Sequence, residues 1–286
     1  MLLQQAKPAK ALERWIHSYR QYRFASGDAA PLVGLPGTGA ELWFCDAPQQ
    51  PGRKTALFGD GVLCPRSRCF ELRPGGLSIF SVRFRAGALP FFTDRPLSQL
   101  IDHYTPLDAL WDEVATRPLA RLRRSPDFEE RCQVVERFLL ARLQAGQGLE
   151  QMQQLATTMY EQSADFALSD YAGQLQCDRS HLSRQFHAVH GTSAKYFHRL
   201  CRFERFLRDA LFNTDASLAG LSVDHGYYDQ AHMSNDVHQL SRQSPRALLA
   251  RKETRVFYSQ RLDPDRYTAS GLGDNAQAPK TSSPLR

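Results

Sequence analysis

The sequence contains no run of about 18 apolar residues, the length a membrane-spanning helix needs. Its six cysteines (45, 64, 69, 132, 177 and 201) include no C-x-x-C pair. In a chain this long, such scattered thiols are expected to be reduced and mostly buried, with a Cys64/Cys69 redox pair the lesser reading. Histidine is absent from 32 to 92, which leaves the strand-like part of the chain without imidazoles for a metal centre. Elsewhere no Cys/His cluster has zinc spacing. The chain also lacks G-x-S-x-G, a phosphate-binding glycine loop followed by Lys, and a paired-carboxylate motif. These absences argue against catalysis, a cofactor or a bound metal. The opening Met1-Leu-Leu-Gln-Gln-Ala-Lys-Pro has neither the charged start nor the apolar stretch of a signal peptide, so the expected location is the cytoplasm, with no membrane partner.

What is present suits two domains with cores of their own. The chain has 286 residues, 42% of them hydrophobic and 23% charged, with a net charge of +6. That excess permits an anionic partner without establishing one.

From 32 to 92 short apolar runs of strand length (41–45, 55–58, 61–64 and 77–84) alternate with Gly- and Pro-rich turns. The pattern predicts a small antiparallel sandwich or barrel. Ile79 and Phe80 interrupt the alternation of the last run, as expected for a strand covered on both faces. Leu97, Leu100 and Ile101 have helical spacing. Phe128, Cys132, Val135, Leu139 and Leu143 form a stripe on a helix starting near Asp127, which reads as packing within its own domain or as a dimer face. Ala145-Gly-Gln-Gly breaks the pattern, and from 149 to 256 the texture is helical throughout. The expected division is a sensor or dimerisation domain over 1–145, a linker at 146–152, an all-α domain over 153–256 and a disordered Gly/Ser/Pro-rich tail over 257–286.

The all-α part contains an internal repeat. Residues 168–186 and 218–237 each give a short helix, a tight break, an Asp in N-cap position (Asp178, Asp229) and a second helix. Apolar anchors recur at Leu182 and Phe186, then at Met233 and Val237. This is the helix-turn-helix layout, whose second helix can enter a DNA major groove. Helical pairs also occur in structural bundles. The face opposite the first anchors favours DNA, because Arg179, Ser180, Ser183 and Arg184 suit base edges and phosphates.

Four segments match one known pattern in order and spacing: Ser180-His-Leu-Ser-Arg-Gln-Phe, Gly191-Thr-Ser-Ala-Lys-Tyr, Gly226-Tyr-Tyr-Asp-Gln-Ala-His-Met-Ser and Ser244-Pro-Arg-Ala. Over about 100 residues the chain resembles the AraC/XylS family of bacterial transcription regulators. The resemblance implies two helix-turn-helix units joined by a long helix, with Arg202 beginning the joining-helix motif. More loosely, Pro36-Gly-Thr-Gly-Ala-Glu-Leu-Trp-Phe, Phe70-Glu-Leu-Arg-Pro-Gly-Gly and Val82-Arg-Phe-Arg-Ala-Gly-Ala are similar to the cupin-like sensor portions of that family. The implied fold is α+β: a small N-terminal cupin-like β-barrel with helices, then the all-α DNA-binding domain. Double-stranded promoter DNA is the implied partner. A small-molecule effector, a homodimer and, for an activator, RNA polymerase are further expectations. The effector's site is not readable.

The expected DNA-facing residues are Arg179, Ser180, Ser183 and Arg184 in the first unit. Gln230, Ala231, Ser234 and Asn235 are their counterparts in the second, which would enter the next groove. The second unit departs from the family pattern at Ser222, Asn235, Val237 and Arg242, the last replacing a turn glycine. Charge follows the same division. Residues 179–208 carry seven basic side chains and Glu204 alone, whereas 209–241 carry five Asp and no Lys or Arg. The first unit and joining helix are therefore expected to dominate DNA affinity. The alternative is a protein-interaction regulator that has largely lost DNA recognition. Seven of nine histidines lie in the α-domain; most read as solvated or phosphate-facing, some of them strengthening DNA binding as pH falls below about 6.5. Trp43, Phe44, Phe58, Phe80 and Phe84 read chiefly as core, with a pocket lining the lesser alternative.

Overall fold

The computed structural model describes residues 2–24, 32–46, 59–72, 76–122, 124–125, 127–213 and 216–251. Eight strands come first: β1 (Leu2–Ala6), β2 (Ile16–Arg23), β3 (Leu32–Gly34), β4 (Glu41–Asp46), β5 (Gly61–Leu63), β6 (Phe70–Leu72), β7 (Ser78–Phe84) and β8 (Tyr104–Pro106). Ten helices follow: α1 (Leu107–Leu110), α2 (Glu113–Thr116), α3 (Phe128–Leu140), α4 (Gln147–Glu161), α5 (Leu168–Gln174), α6 (Arg179–His190), α7 (Ala194–Phe212), α8 (Leu218–Asp224), α9 (Gln230–Ser241) and α10 (Pro245–Ala250). The α+β class and the order of its parts agree with the sequence. The expected strand at 55–58, Phe58 and the tail from 257 lie outside the described residues.

The strands pair antiparallel into a six-stranded sheet, ordered β1-β2-β7-β4-β5-β8, and a two-stranded sheet of β3 and β6. β7 is buried from Ile79 to Phe84, which explains its broken alternation. Phe80, Val82 and Phe84 enter the main core, while Ile79 joins a second cluster with Trp43 on the opposite face. Phe44 also lies in the main core, so the aromatic set is mostly packing.

β2 falls outside the strand texture read at 32–92, although it pairs with both β1 and β7. Arg20 and Gln21 hide it. Arg20 is fully buried and donates from Nη1 to the Tyr22 hydroxyl at 2.9 Å. A strand that buries a cation does not announce itself by hydropathy.

α3 begins at the expected Asp127, whose carboxylate accepts from the Glu130 amide at 3.0 Å. Its stripe of Phe128, Cys132, Val135 and Leu139 lies in the main core, with Leu143 packed against it. The stripe is therefore internal, and a dimer would need another face.

One expectation is corrected, and the segment expected as a linker has regular structure. Leu97–Gln99 form a single 3-10 turn rather than a helix. Asp102 ends the segment in the left-handed region (φ 59°) and accepts from the amides of Arg66, Ser67 and Arg68. The linker expected at 146–152 is largely helical, because α4 starts at Gln147 with Gly146 as its N-cap. Leu149 packs on the core of the sheet region, while Met152, Leu155 and Met159 pack in the helical region. One helix thus serves two cores.

Candidate nucleic-acid interface

Each repeat folds as a helix pair. In the first unit Asp178 caps α6 by accepting from the His181 amide at 2.9 Å. The His181 amide bond, with the Ser180 amide and Arg184 also contributing, outweighs a small burial penalty and holds the Asp178 carboxyl below its usual range. In the second unit Asp229 caps α9 in the same way, from the His232 amide at 2.7 Å. An N-cap carboxylate satisfies an otherwise orphaned amide and favours the positive end of the helix dipole. Leu182, Phe186, Met233 and Val237 are all fully buried. α7 connects the units over 19 residues, about 28 Å of helix.

Arg179, Ser180 and Arg184 are exposed on α6, with Ser183 half-buried between them. On α9 Gln230, Ala231 and Asn235 are exposed and Ser234 is half-buried. Each set therefore gathers on the solvent side of its own helix, opposite its anchors.

Residues 171–251 match a family described as a helix-turn-helix domain. The C-terminal region is an AraC-type helix-turn-helix domain. Among solved structures, the chain is similar to ToxT from Vibrio cholerae at 10% identity and TM-score 0.45, covering 87% of this chain and 98% of that one. It is also similar to the C-terminal domain of AraT, a response regulator from Geobacillus stearothermophilus, at 20% identity and TM-score 0.32, covering 37% and 84%. Likeness of that degree carries no functional argument. No curated protein matches the sequence. Among the described residues no helix is long and apolar enough to cross a membrane, and no group of three or more His, Cys, Asp or Glu is placed to hold a metal ion.

Inside the AraC-type domain, the arginines of the joining helix are engaged by the protein itself. Arg199 Nε donates to Asp236 Oδ1 at 2.5 Å and its Nη2 to Gln239 Oε1 at 2.6 Å. Arg202 donates to Gly226 O, Arg205 to the carbonyls of Tyr160 and Glu161, and Arg208 to the Tyr160 hydroxyl. The basic block from 179 to 208 is thus not one phosphate-binding surface. Its exposed cations are Arg179, Arg184 and Lys195. The acidic block is reduced too, since Asp236 pairs with Arg199 and Asp229 caps a helix.

The histidines also divide. His181, His187, His232 and His238 are exposed. His190 is buried beside the Met152 carbonyl, and desolvation pushes its pKa down to about 4. His198 and His225 are lowered as well, chiefly by burial. Those three are packing residues, and the four exposed ones are the majority that the sequence reading places in solvent.

The AraC-type domain is anchored to the sheet region through Glu204, the one acid of the basic block. Glu204 Oε2 accepts from the Thr38 amide at 3.1 Å and the Thr38 hydroxyl at 2.7 Å, and Oε1 accepts from Arg83 Nη2 at 3.0 Å. Burial alone would raise its pKa. The Arg83 charge, the Thr38 bonds and the Arg208 charge outweigh that and hold the carboxyl below its usual range. Arg66 fixes the loop that presents Thr38, donating to the carbonyls of Gly37, Thr38 and Gly39. Sequence reasoning misses this contact. The available signal was a single acid among seven basic residues.

Contacts reach both units. Leu35 packs in the core of the second unit, and Cys69 Sγ lies 3.7 Å from Leu240 O at the end of α9. At the end of α6 Gly191 (φ 66°) sits so close that a Cβ would stand 2.4 Å from the Ser98 amide nitrogen.

Proposed function

We propose that the protein is a sequence-specific DNA-binding transcription regulator in which α6 and α9 enter successive major grooves on one face of promoter DNA. The observation that carries this is the paired placement. Two N-capped recognition helices within one AraC-type domain each present the polar residues expected of them on the solvent side. Arg184 and Arg179 would supply the ionic contacts of the first unit. Gln230, Ser234 and Asn235 would read the second groove through neutral hydrogen bonds. Residues 153–256 form the DNA-binding part and the sheet region the regulatory part, acting on the joining helix through Glu204. A cleft of about 160 Å³ opens beside that contact, lined by His17, Thr38, Arg83, Tyr160, Glu204 and Arg208 among others. An effector would bias the contact from there.

Sequencing of genomic fragments captured by the full chain tests the reading. The expected result is one enriched motif with two elements about one helical turn, roughly 10 base pairs, apart. Capture without sequence enrichment would instead support a protein-interaction role. The observation favouring that second role is the absence of Lys and Arg from α9.

A further inference from the structure

The turns of the two units differ in length by one residue. In the first, the Cys177 amide donates to Ala172 O at 3.0 Å, and Asp178 caps α6 immediately afterwards. In the second, the corresponding amide is that of Tyr227, which donates to Ser222 O at 2.9 Å, yet the cap is Asp229. Tyr228 is the additional residue. The two tyrosines take opposite directions. Tyr227 is buried and its hydroxyl donates to Asp236 Oδ2 at 3.3 Å, whereas Tyr228 is 90% exposed, more than any other large hydrophobic residue described. Its backbone is held, because the Tyr228 amide donates to His232 Nδ1 at 3.3 Å.

An exposed aromatic ring on a fixed backbone offers contact area at little entropic cost, and its hydroxyl is a hydrogen-bond donor. Tyr228 stands directly before the N-terminus of α9, the end of a recognition helix that faces DNA phosphates. That helix has no cation of its own. We propose that Tyr228 is a DNA-backbone contact of the second unit, its ring lying on a deoxyribose and its hydroxyl donating to a phosphate oxygen. The inference rests on the DNA-binding function proposed above. A neutral contact of this kind strengthens binding without displacing a counterion, so it leaves no trace in the salt dependence.

The test uses the full chain and the duplex enriched from genomic fragments, with affinity measured over a range of potassium chloride concentrations. Tyr228→Ala is expected to bind about five-fold more weakly throughout with an unchanged salt slope, and Tyr228→Phe to recover part of that loss. Arg184→Ala is the reference and is expected to lower the slope by about one unit. Wild-type affinity in Tyr228→Ala, on a duplex that Arg184→Ala binds weakly, would overturn the inference and leave the DNA-binding reading standing. Wild-type affinity in Tyr228→Phe would overturn the phosphate contact. Absence of salt-dependent binding by the wild-type chain to any duplex would overturn the function, and the inference with it.

Discussion

The two helix-turn-helix units carry the same kind of strain at opposite ends. In the first, Gln176 holds the left-handed turn position (φ 51°) and Gly191 the left-handed position after the recognition helix (φ 66°). In the second, Gly226 (φ 72°) takes the turn and Arg242 (φ 59°) the helix end. Each unit therefore has one glycine where it is free of cost and one side chain where it is not. Val237 replaces the larger Phe186 at the equivalent anchor but is equally buried, in a cluster that includes Leu35 from the sheet region. Ser222 is accommodated by its bond to Leu218 O at 2.6 Å. The second unit is not a decayed copy of the first. What distinguishes them is the chemistry of the exposed faces, with exposed arginines on α6 and neutral side chains on α9.

The largest effect that would sharpen this comparison lies in the turns. A Cβ at Gly226 would meet Ala164 O at 2.6 Å, so Gly226→Ala should destabilise the protein by about 3 kcal/mol. Gln176→Ala, at the matching position, should cost under about 1 kcal/mol. Denaturant titrations of both variants check the difference. Equal losses would mean that the units do not divide their strain as described.

Next comes DNA affinity. Arg184→Ala should lose about 1–3 kcal/mol of binding, and Asn235→Ala less. Equilibrium titrations on one duplex decide the order, and an equal or larger loss for Asn235→Ala would reverse the ranking of the units. Smaller still is strain relief at the αL side chains. Gln176→Gly and Arg242→Gly should each stabilise by roughly 0.5–1 kcal/mol, part of the relief being offset by unfolded-state entropy. Melting curves that move in opposite directions would break the symmetry.

The last contrast is in pH. His190, the final residue of α6, corresponds to Ser241 of α9, which bonds Val237 O at 2.7 Å. The buried imidazole is held down to about 4, so between roughly 6.5 and 4 the unfolded chain binds a proton that the folded chain refuses. Stability should fall as pH falls through that window, and His190→Gln should remove part of the slope. Identical pH profiles for the variant and wild type would remove this difference between the units.

The repeat was legible because it rests on short-range rules. N-cap Asp178 and Asp229 and the buried anchors follow from local spacing, while the left-handed Arg242 follows from the resemblance, which puts a turn glycine there. Less local features were not legible. β2 contains a buried Arg20 whose partner is two residues along the strand. The basic block of α7 gave a misleading charge count, because Arg199, Arg202, Arg205 and Arg208 bond to groups 24 to 48 residues away in sequence. Net charge by segment cannot separate a cation that faces solvent from one that holds two helices together. The helix across 147–152 was hidden for a related reason, since a glycine at the N-cap and another in the first turn look like a break until Leu149 and Met152 are seen entering different cores.

The most direct test of the account is the salt dependence of DNA affinity in two paired variants of the full chain. Arg179→Ala with Arg184→Ala should lower the slope of log affinity against log salt by about two units. Gln230→Ala with Asn235→Ala should weaken binding and leave the slope unchanged. Equal slopes in the two double variants would contradict the division of labour between a charged first unit and a neutral second one.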